Sequence, residues 1–417
     1  MIWNKEIRKI ERGKYILLFK GERIIKILKS DYDILNRLME GQVPYSDIAR
    51  NFVRKEDGEY ISHIAECLIE EQYLENEAAQ PKKTKISLNL LLTNQCNLSC
   101  RHCCQDAECI GKDEKEFSTG EWKGVIERLR QLPIENVMIS GGEALLREDF
   151  QEIIQYLHKR LKCPKILMTN GLLINENNVE FLKNHFDEIS ISLDGSDAEL
   201  TEIVRGRDVH FTVLKKIELL KNYGVENISL SAILPNSDKV EEDFLKLCER
   251  YQVNPELRSY SYTGRGEVNS DCLYQEFESY LERKHYSSYN TFERETFQWL
   301  GNCQAGKTNL TIDAKGNVFP CNLLQDSDMR IANVWDVDFE DKWSSYKKCD
   351  EEEVFKNTPC EICEYRFLCW HCISEFRTYV GTDIFDERCR IKKRCLQNEI
   401  QEVIESKGDR CVHLVER

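Results

Sequence analysis

From residue 86 to about residue 260 the sequence alternates strand-like and helical segments, and that alternation leaves few folds open. ISLNLLL, NVMIS, KILMT, EISISL, NISLSAI and PELRSY read as strands. Helical patterns lie between them near 119–131, 147–160, 176–185, 210–223 and 239–251. Strict alternation of this kind implies a parallel sheet with right-handed crossovers. Six such strands make an α/β fold, an open, partial (β/α)6 barrel. In barrels of this type the active site forms at the C-terminal ends of the strands.

Directly after the first of these strands comes LLLTNQCNLSCRHCC, which sets Cys96, Cys100 and Cys103 at CxxxCxxC spacing. Three thiolates hold three irons of a cubane cluster and leave the fourth iron for an outside ligand. A zinc loop is the alternative, but zinc normally takes a fourth ligand nearby. His102 is a candidate for that position, and its place inside a short gap is awkward. The chain has 19 cysteines in 417 residues. A large protein without secretory features rarely uses so many as disulfides, so the count points to metal or redox chemistry.

The order of the following motifs resembles the radical S-adenosylmethionine superfamily over residues 86–265. ISGGEALL ends the second strand, MTNGLL the third and ISLDG the fourth. The resemblance implies that Cys96, Cys100 and Cys103 hold a [4Fe–4S] cluster and that S-adenosylmethionine binds its open iron. It also implies cofactor contacts from Gly141, Gly142, Glu143, Asn170, Ser192 and Arg205. Strand-end carbonyls at Gly141 and Gly142 suit the cofactor's ammonium group, and Glu143 suits a counter-charge. Arg205, in VRGRD, carries the planar fork that suits a carboxylate. Cys104 and Cys109 fit no ligand position and read as ordinary thiols.

Residues 270–417 form a second cysteine-rich region in which little regular structure is expected, apart from helical pieces around 274–300. Cys303 precedes TIDAKGNVFPC, which ends at Cys321, and CEICEYRFLCWHC carries Cys360, Cys363, Cys369 and Cys372. Cys389 and Cys395 follow. This arrangement resembles the SPASM extension of the same superfamily, including its Gly-x4-Cys element from Gly316 to Cys321. The resemblance implies two auxiliary [4Fe–4S] clusters, three in all. Cys360, Cys363, Cys369 and Cys389 would hold one, and Cys303, Cys321 and Cys372 the other. The last spacing is CxxC where the family more often has CxxxC. Asn309 stands where a fully ligated relative has a further Cys, so the inner cluster is expected to keep an open iron unless Cys349 or Cys395 reaches it.

Residues 1–80 read as a separate unit. IRKI, YILLFK and RIIKIL look like short strands turned at Gly13 and Gly21. Helical patterns follow at Asp31–Glu40, Ser46–Arg54 and Gly58–Glu75. ENEAAQPKKTK then reads as a linker. The pattern is winged-helix-like. DNA binding is the usual reading, but these residues carry 13 basic against 15 acidic side chains and the chain a formal net charge of −15. That balance disfavours nucleic acid. The unit resembles the peptide-recognition element of enzymes that mature ribosomally made peptides. The resemblance implies a leader peptide added as a strand beside RIIKIL. A structural cap without a ligand is the alternative.

The first residues carry charges throughout, with no apolar h-region, and no stretch approaches the roughly 20 apolar residues of a membrane span. A cytoplasmic protein without a membrane partner is expected. Together the resemblances imply an oxidoreductase acting on a precursor peptide, with a flavodoxin or ferredoxin as electron donor. The expected product is a Cys sulfur-to-carbon thioether formed through a 5′-deoxyadenosyl radical. Carbon–carbon crosslinking, epimerisation and sulfatase maturation use the same apparatus. A DNA-binding iron–sulfur sensor is the non-enzymatic alternative. No side chain stands out as a catalytic acid or base.

Overall fold

A computed structural model describes the chain except residues 22, 76–84, 108–114, 291–302, 406–412 and 416–417. The chain folds into two compact units. One comprises residues 1–83, 292–303 and 351–417, the other residues 84–291 and 304–350.

The first unit begins with β1 (Ile2–Trp3), β2 (Arg8–Arg12), β3 (Tyr15–Lys20) and β4 (Arg23–Leu28). Gly13 and Gly21 take left-handed φ values of 57° and 59° and allow the tight reversals between β2, β3 and β4. Helices α1 (Lys29–Glu40) and α2 (Lys55–Glu70) follow, and β5 (Leu74–Glu75) pairs with β1. The middle helix expected at Ser46–Arg54 is instead a 3-10 helix, Tyr45–Asn51. It is short, and Asn51 Nδ2 donates back to the Asp47 carbonyl, which ends it before α2 begins. Ile16, Leu18, Ile25 and Ile27 meet Leu35, Ile61, Ile64 and Leu68 of the helices in one core.

The second unit holds the parallel sheet. Its strands are β6 (Ile86–Leu91), β7 (Ile134–Ser140), β8 (Lys165–Thr169), β9 (Glu188–Ser192), β10 (Ile228–Ala232) and β11 (Asn254–Leu257). They lie side by side in chain order, all parallel. The crossovers run through α3 (Thr119–Leu129), α4 (Phe150–Arg160), α5 (Val179–His185), α6 (Ala198–Arg205), α7 (Val209–Asn222) and α8 (Asp238–Tyr251), and α9 (Arg265–Lys284) follows β11. Ser118 and Glu121 start α3 with a reciprocal capping box. Leu88, Leu90, Val137, Ile139, Leu167 and Ile191 are fully enclosed, and β10 is buried throughout, whereas the other alternation of β7 and β8 is half-buried and β11 is largely exposed.

Residues 304–350 correct the expectation of sparse regular structure. β12 (Asn309–Ile312) pairs parallel with β6, and β13 (Asn317–Phe319) and β14 (Ala332–Asn333) continue the sheet antiparallel to nine strands. Leu310, Ile312 and Val318 join the main apolar core. The Gly316 turn takes φ +80°, where a Cβ would lie 2.4 Å from the Phe117 ring.

The C-terminal part returns to the first unit. It carries α10 (Ile373–Tyr379), α11 (Asp383–Glu405) and a strand, His413–Val415. Leu17 and Phe19 of β3 and Ile24 of β4 point away from α1 and α2 yet are buried. Phe19 meets Phe367 edge-on, with ring centroids 6.2 Å apart. The second face of this sheet is therefore covered, and YILLFK and RIIKIL are apolar at both alternations for that reason. The strand His413–Val415 pairs antiparallel with β4, so the edge expected to receive a leader peptide is taken by the chain's own strand. Among the described residues no helix is long and apolar enough to cross a membrane.

Candidate functional site

The loop after β6 carries Cys96, Cys100 and Cys103 at the C-terminal ends of the parallel strands. Cys96 and Cys100 are buried and Cys103 is half-buried. Burial pushes the Cys96 thiol up to about 11. Burial also raises Cys100, against the opposing pull of Arg205.

The Gly-Gly-Glu segment after β7 grips this loop through its backbone. The Gly142 N–H donates to the Thr93 carbonyl at 2.7 Å, and the Glu143 N–H to the Gln95 carbonyl at 2.7 Å. A Cβ on Gly141 would lie 2.4 Å from the Thr93 oxygen, and one on Gly142 would lie 2.2 Å from the Gln95 oxygen. Only glycine permits that approach. Glu143 is fully buried and turned inward. Its carboxylate accepts from Thr169 Oγ1 at 2.9 Å, the Asn170 N–H at 2.8 Å and the Leu145 N–H at 3.2 Å. Burial raises its pKa, and those donors oppose the rise. Glu143 thus braces the ends of β7 and β8 against each other.

Asn170 reaches the loop from β8. Its Nδ2 donates to Asn97 Oδ1 at 2.7 Å and lies 3.9 Å from Cys96 Sγ. Ser192 sits half-buried at the end of β9, opposite Ser231. Two residues on, Asp194 is enclosed. Its Oδ2 meets His102 Nε2 at 2.6 Å and Arg205 Nε at 2.7 Å, and its Oδ1 accepts the Ile233 N–H at 2.8 Å. Burial works to raise the Asp194 carboxyl, but Arg205 and His102 outweigh it and hold the group far below the usual carboxylate range.

Two contributors escaped the sequence reading. Helix α6, which ends in Arg205, lay outside the expected helices. Its signal was Asp197 as N-cap, accepting from the Leu200 N–H at 2.9 Å, with Leu200 and Val204 buried at helical spacing. The second is Arg265. Its Nε donates to the Cys100 carbonyl at 2.9 Å, its backbone N–H to the Cys103 carbonyl at 3.0 Å and its NH1 to the Ala107 carbonyl at 2.7 Å. Gly264 lets this segment approach, since a Cβ there would lie 2.7 Å from the Cys103 oxygen. Nothing local in TGRGE marks that role.

The first unit brings Cys360, Cys363, Cys369 and Cys389 together. Burial pushes Cys360 and Cys369 up to about 12, and the charges of the neighbouring cysteines add to the rise. Cys389, one helical turn before Lys393 on α11, and the cysteines beside it raise the pKa of the Lys393 ammonium. Cys372 caps α10 and is pushed up to about 11 by burial, with the charge of Cys303 adding. Cys321 lies just beyond β13 in the second unit, and Asn309 opens β12 opposite Ser87. Cys109 and Cys411 lie outside the described residues. Among the described residues no group of three or more His, Cys, Asp or Glu converges tightly enough for a single metal ion.

The family model described as Radical SAM superfamily matches residues 90–249. The chain is 28% identical over 293 residues to the mycofactocin maturase MftC of Mycolicibacterium smegmatis, covering 60% of this chain and 70% of that protein. It is 26% identical over 273 residues to the antilisterial bacteriocin subtilosin biosynthesis protein AlbA of Bacillus subtilis, covering 61% and 58%. It is 26% identical over 339 residues to the AdoMet-dependent heme synthase of Methanosarcina barkeri, covering 70% and 91%. The fold is similar to that of Streptococcus suis SuiB, solved bound to S-adenosylmethionine, with a TM-score of 0.53 at 15% identity over 88% of this chain and 94% of that one. The cysteine loop, the Gly-Gly-Glu grip and the central parallel strands fall within residues 90–249, the stretch that carries the radical SAM domain.

Proposed function

We propose that the chain is a peptide maturase that forms a thioether between a Cys sulfur and a carbon of a ribosomally made precursor. The observation that carries this reading is the make-up of the first unit. It joins a small sheet, with its β4 edge closed by His413–Val415 and β2 at its other edge, and the Cys360, Cys363, Cys369 and Cys389 quartet in one compact body. Similarity to a maturase and to a bacteriocin biosynthesis protein supports it.

In this reading Cys96, Cys100 and Cys103 hold the cluster that binds S-adenosylmethionine. Asn170 and Ser192 line the cofactor, and Gly141 and Gly142 hold the loop at the right height. Bound together, cluster and cofactor supply a 5′-deoxyadenosyl radical that removes a hydrogen atom from the peptide, with the electron coming from a flavodoxin or ferredoxin. The quartet holds one auxiliary [4Fe–4S] cluster, and Cys303, Cys321 and Cys372 hold the other. With Asn309 in place of a fourth thiolate, that inner cluster would keep a position for the substrate thiolate; the thiol would give its proton to solvent, and the surplus electron left when the carbon–sulfur bond forms would pass to the auxiliary clusters.

Incubating the reconstituted enzyme with a Cys-containing precursor and reading the product by mass spectrometry tests the proposal. Loss of two hydrogens at a pair that includes the Cys is expected. An unchanged mass, or a two-hydrogen loss that spares the Cys, would sink the thioether assignment. The heme synthase relative favours a small-molecule substrate as the second reading. A full-length precursor that binds more weakly than a scrambled peptide supports that one.

A further inference from the structure

We propose that the outer edge of β4 is an exchangeable strand site: the chain's own His413–Val415 is its resident occupant, and an extended precursor segment binds by displacing it. The choice of partner rests on the peptide-maturase reading above; the presence of the resident strand does not. β4 pairs with β3 from one end to the other, Tyr15 opposite Leu28 and Lys20 opposite Arg23. Among the described residues the pairing on its other side is three residues long and antiparallel: His413 with Lys26, Leu414 with Ile25 and Val415 with Ile24. In the sheet order His413–Val415, β4, β3, β2, the C-terminal strand is the outermost member on that side. A pairing this short contributes few backbone hydrogen bonds, so it belongs to the elements that open first. Once open, the edge presents unpaired N–H and C=O groups, which are a template for an added extended peptide.

The sheet's other edge is the poorer receiver. β2 is tied to residues 351–365 of the same unit: Arg8 pairs with Glu351 at 2.9 Å, Arg12 pairs with Glu364 at 2.8 Å, and Arg12 Nη2 donates to Tyr365 Oη at 2.7 Å. At β4, by contrast, exchange replaces one set of backbone hydrogen bonds by another. Helix α11 delivers the resident strand to this edge. The Lys26 ammonium, from the middle of β4, donates to the Val403 and Ile404 carbonyls in the last turn of that helix. Eight residues then separate Ile404 from His413. A short tether holds a ligand near its site at an effective concentration of order millimolar. A strand of weak intrinsic affinity can therefore keep the edge filled, while a precursor that pairs along more of β4 still displaces it. The apparent affinity for the precursor is then reduced by the fraction of molecules whose edge is open.

The test compares the full-length protein with a chain that stops at residue 412 and with the double variant Leu414→Pro, Val415→Pro. Adjacent prolines spoil the pairing whichever of the two positions bonds to β4, because alternate residues bond across an antiparallel pair. Equilibrium binding of a fluorescently labelled Cys-containing precursor is measured on all three. A synthetic peptide with the sequence of residues 412–417, VHLVER, serves as competitor at about 1 mM, with a scrambled peptide as control. Both variants are expected to bind the precursor about tenfold or more tightly than the full-length protein, as for an edge open in a tenth of the molecules or fewer. The synthetic peptide is expected to weaken precursor binding to the truncated chain, and the scrambled peptide to leave it unchanged. Equal affinity in all three proteins overturns the proposal, and so does weaker binding in the variants, which would make the C-terminal strand part of the binding site. Tighter binding that the synthetic peptide does not reduce also overturns it, because precursor and resident strand would then use different surfaces. Failure of the maturase reading looks different: the precursor then binds none of the three proteins.

Discussion

The Lys26 ammonium, on β4, donates to the Val403 carbonyl at 3.0 Å and to the Ile404 carbonyl at 3.2 Å. A buried cation thus closes the C-terminal end of α11, where carbonyls lack intrahelical partners. The N-terminal sheet and the C-terminal helix of the first unit are tied at this point, 377 residues apart in sequence. Replacing Lys26 with Met keeps the stem and removes the donor. The expected cost is about 1–3 kcal/mol, the range for leaving buried acceptors unmet. Urea unfolding of the two proteins measures it. An unchanged midpoint would show that water serves these carbonyls equally well.

The same strand has its outer edge paired with His413–Val415. Removing residues 413–417 should leave β4 as an open edge with unpaired backbone groups. Amide exchange along Arg23–Leu28 is expected to rise in the truncated protein and to fall again when precursor peptide is added. Unchanged exchange in the truncated protein would show that this pairing does not protect the edge in solution.

A pH prediction attaches to Asp197, the N-cap of α6. Burial tends to raise its carboxyl, but the Leu200 N–H, Lys284 and Tyr280 outweigh that and lower it. Lys284 Nζ lies 2.9 Å away and Tyr280 Oη 3.0 Å away. A folded-state value below the unfolded one makes the contribution fully present above the ordinary carboxylate value of about 3.9 and lost as pH falls through the folded-state value. Asp197→Asn keeps a capping oxygen and deletes the charge. The stability gap between wild type and this variant should therefore be wide at pH 6 and shrink below about pH 4. A gap that stays constant across this range would assign it to packing.

How far the sequence reached depended on whether a residue acts through its neighbours in the chain or through a distant segment. The six parallel strands were legible because five of them are short, largely apolar runs each followed by a helical pattern, and PELRSY follows the last of those helices. The Gly-Gly-Glu motif was legible as a motif, yet its physical reason was not. Gly142 is required because Gln95 passes 2.2 Å from where a Cβ would sit, and that approach belongs to the folded state alone. Arg265 and Asp194 were missed as supports of the loop for the same reason. Both act on residues more than 90 positions away. The sheet extension through β12 was missed because Asn309–Ile312 is only four residues long and its partner strand, β6, lies far earlier in the chain. The double burial of YILLFK and RIIKIL was visible as apolar residues at both alternations, but the covering segment comes from the far end of the chain.

Gly142→Ala follows from that contact. The added methyl meets a backbone carbonyl at 2.2 Å, so either the Gly-Gly-Glu segment or the cysteine loop must move. Overpacking of this kind costs about 1–3 kcal/mol. The specific consequence is on metal: the hydrogen bonds from Gly142 and Glu143 to Thr93 and Gln95 break, and the loop loses its fixed height. The variant should keep the auxiliary clusters and lose the S-adenosylmethionine-responsive EPR signal. Retention of that signal at wild-type intensity would show that the loop tolerates the shift.

The cysteine quartet of the first unit gives a prediction on iron number. The three cubanes proposed above would correspond to about twelve irons per chain. Cys389 reaches the quartet from α11, while Cys360, Cys363 and Cys369 come from the preceding loops and short helices, so Cys389→Ala removes a ligand without disturbing the others' backbone. About four irons should be lost, because a cluster ligand cannot be supplied by Ala. Lys393 sharpens the test. Its ammonium is held charged by the cysteines around it, Cys389 first. Lys393→Met leaves all four thiolates in place, so iron content is expected to stay at the wild-type level. The midpoint potential of one auxiliary cluster should then move negative, since a nearby positive charge favours the reduced form, and the potentials of the other two clusters should not change. A shift in all three would point to a general loosening of the fold, and no shift in any would separate Lys393 from the cluster altogether.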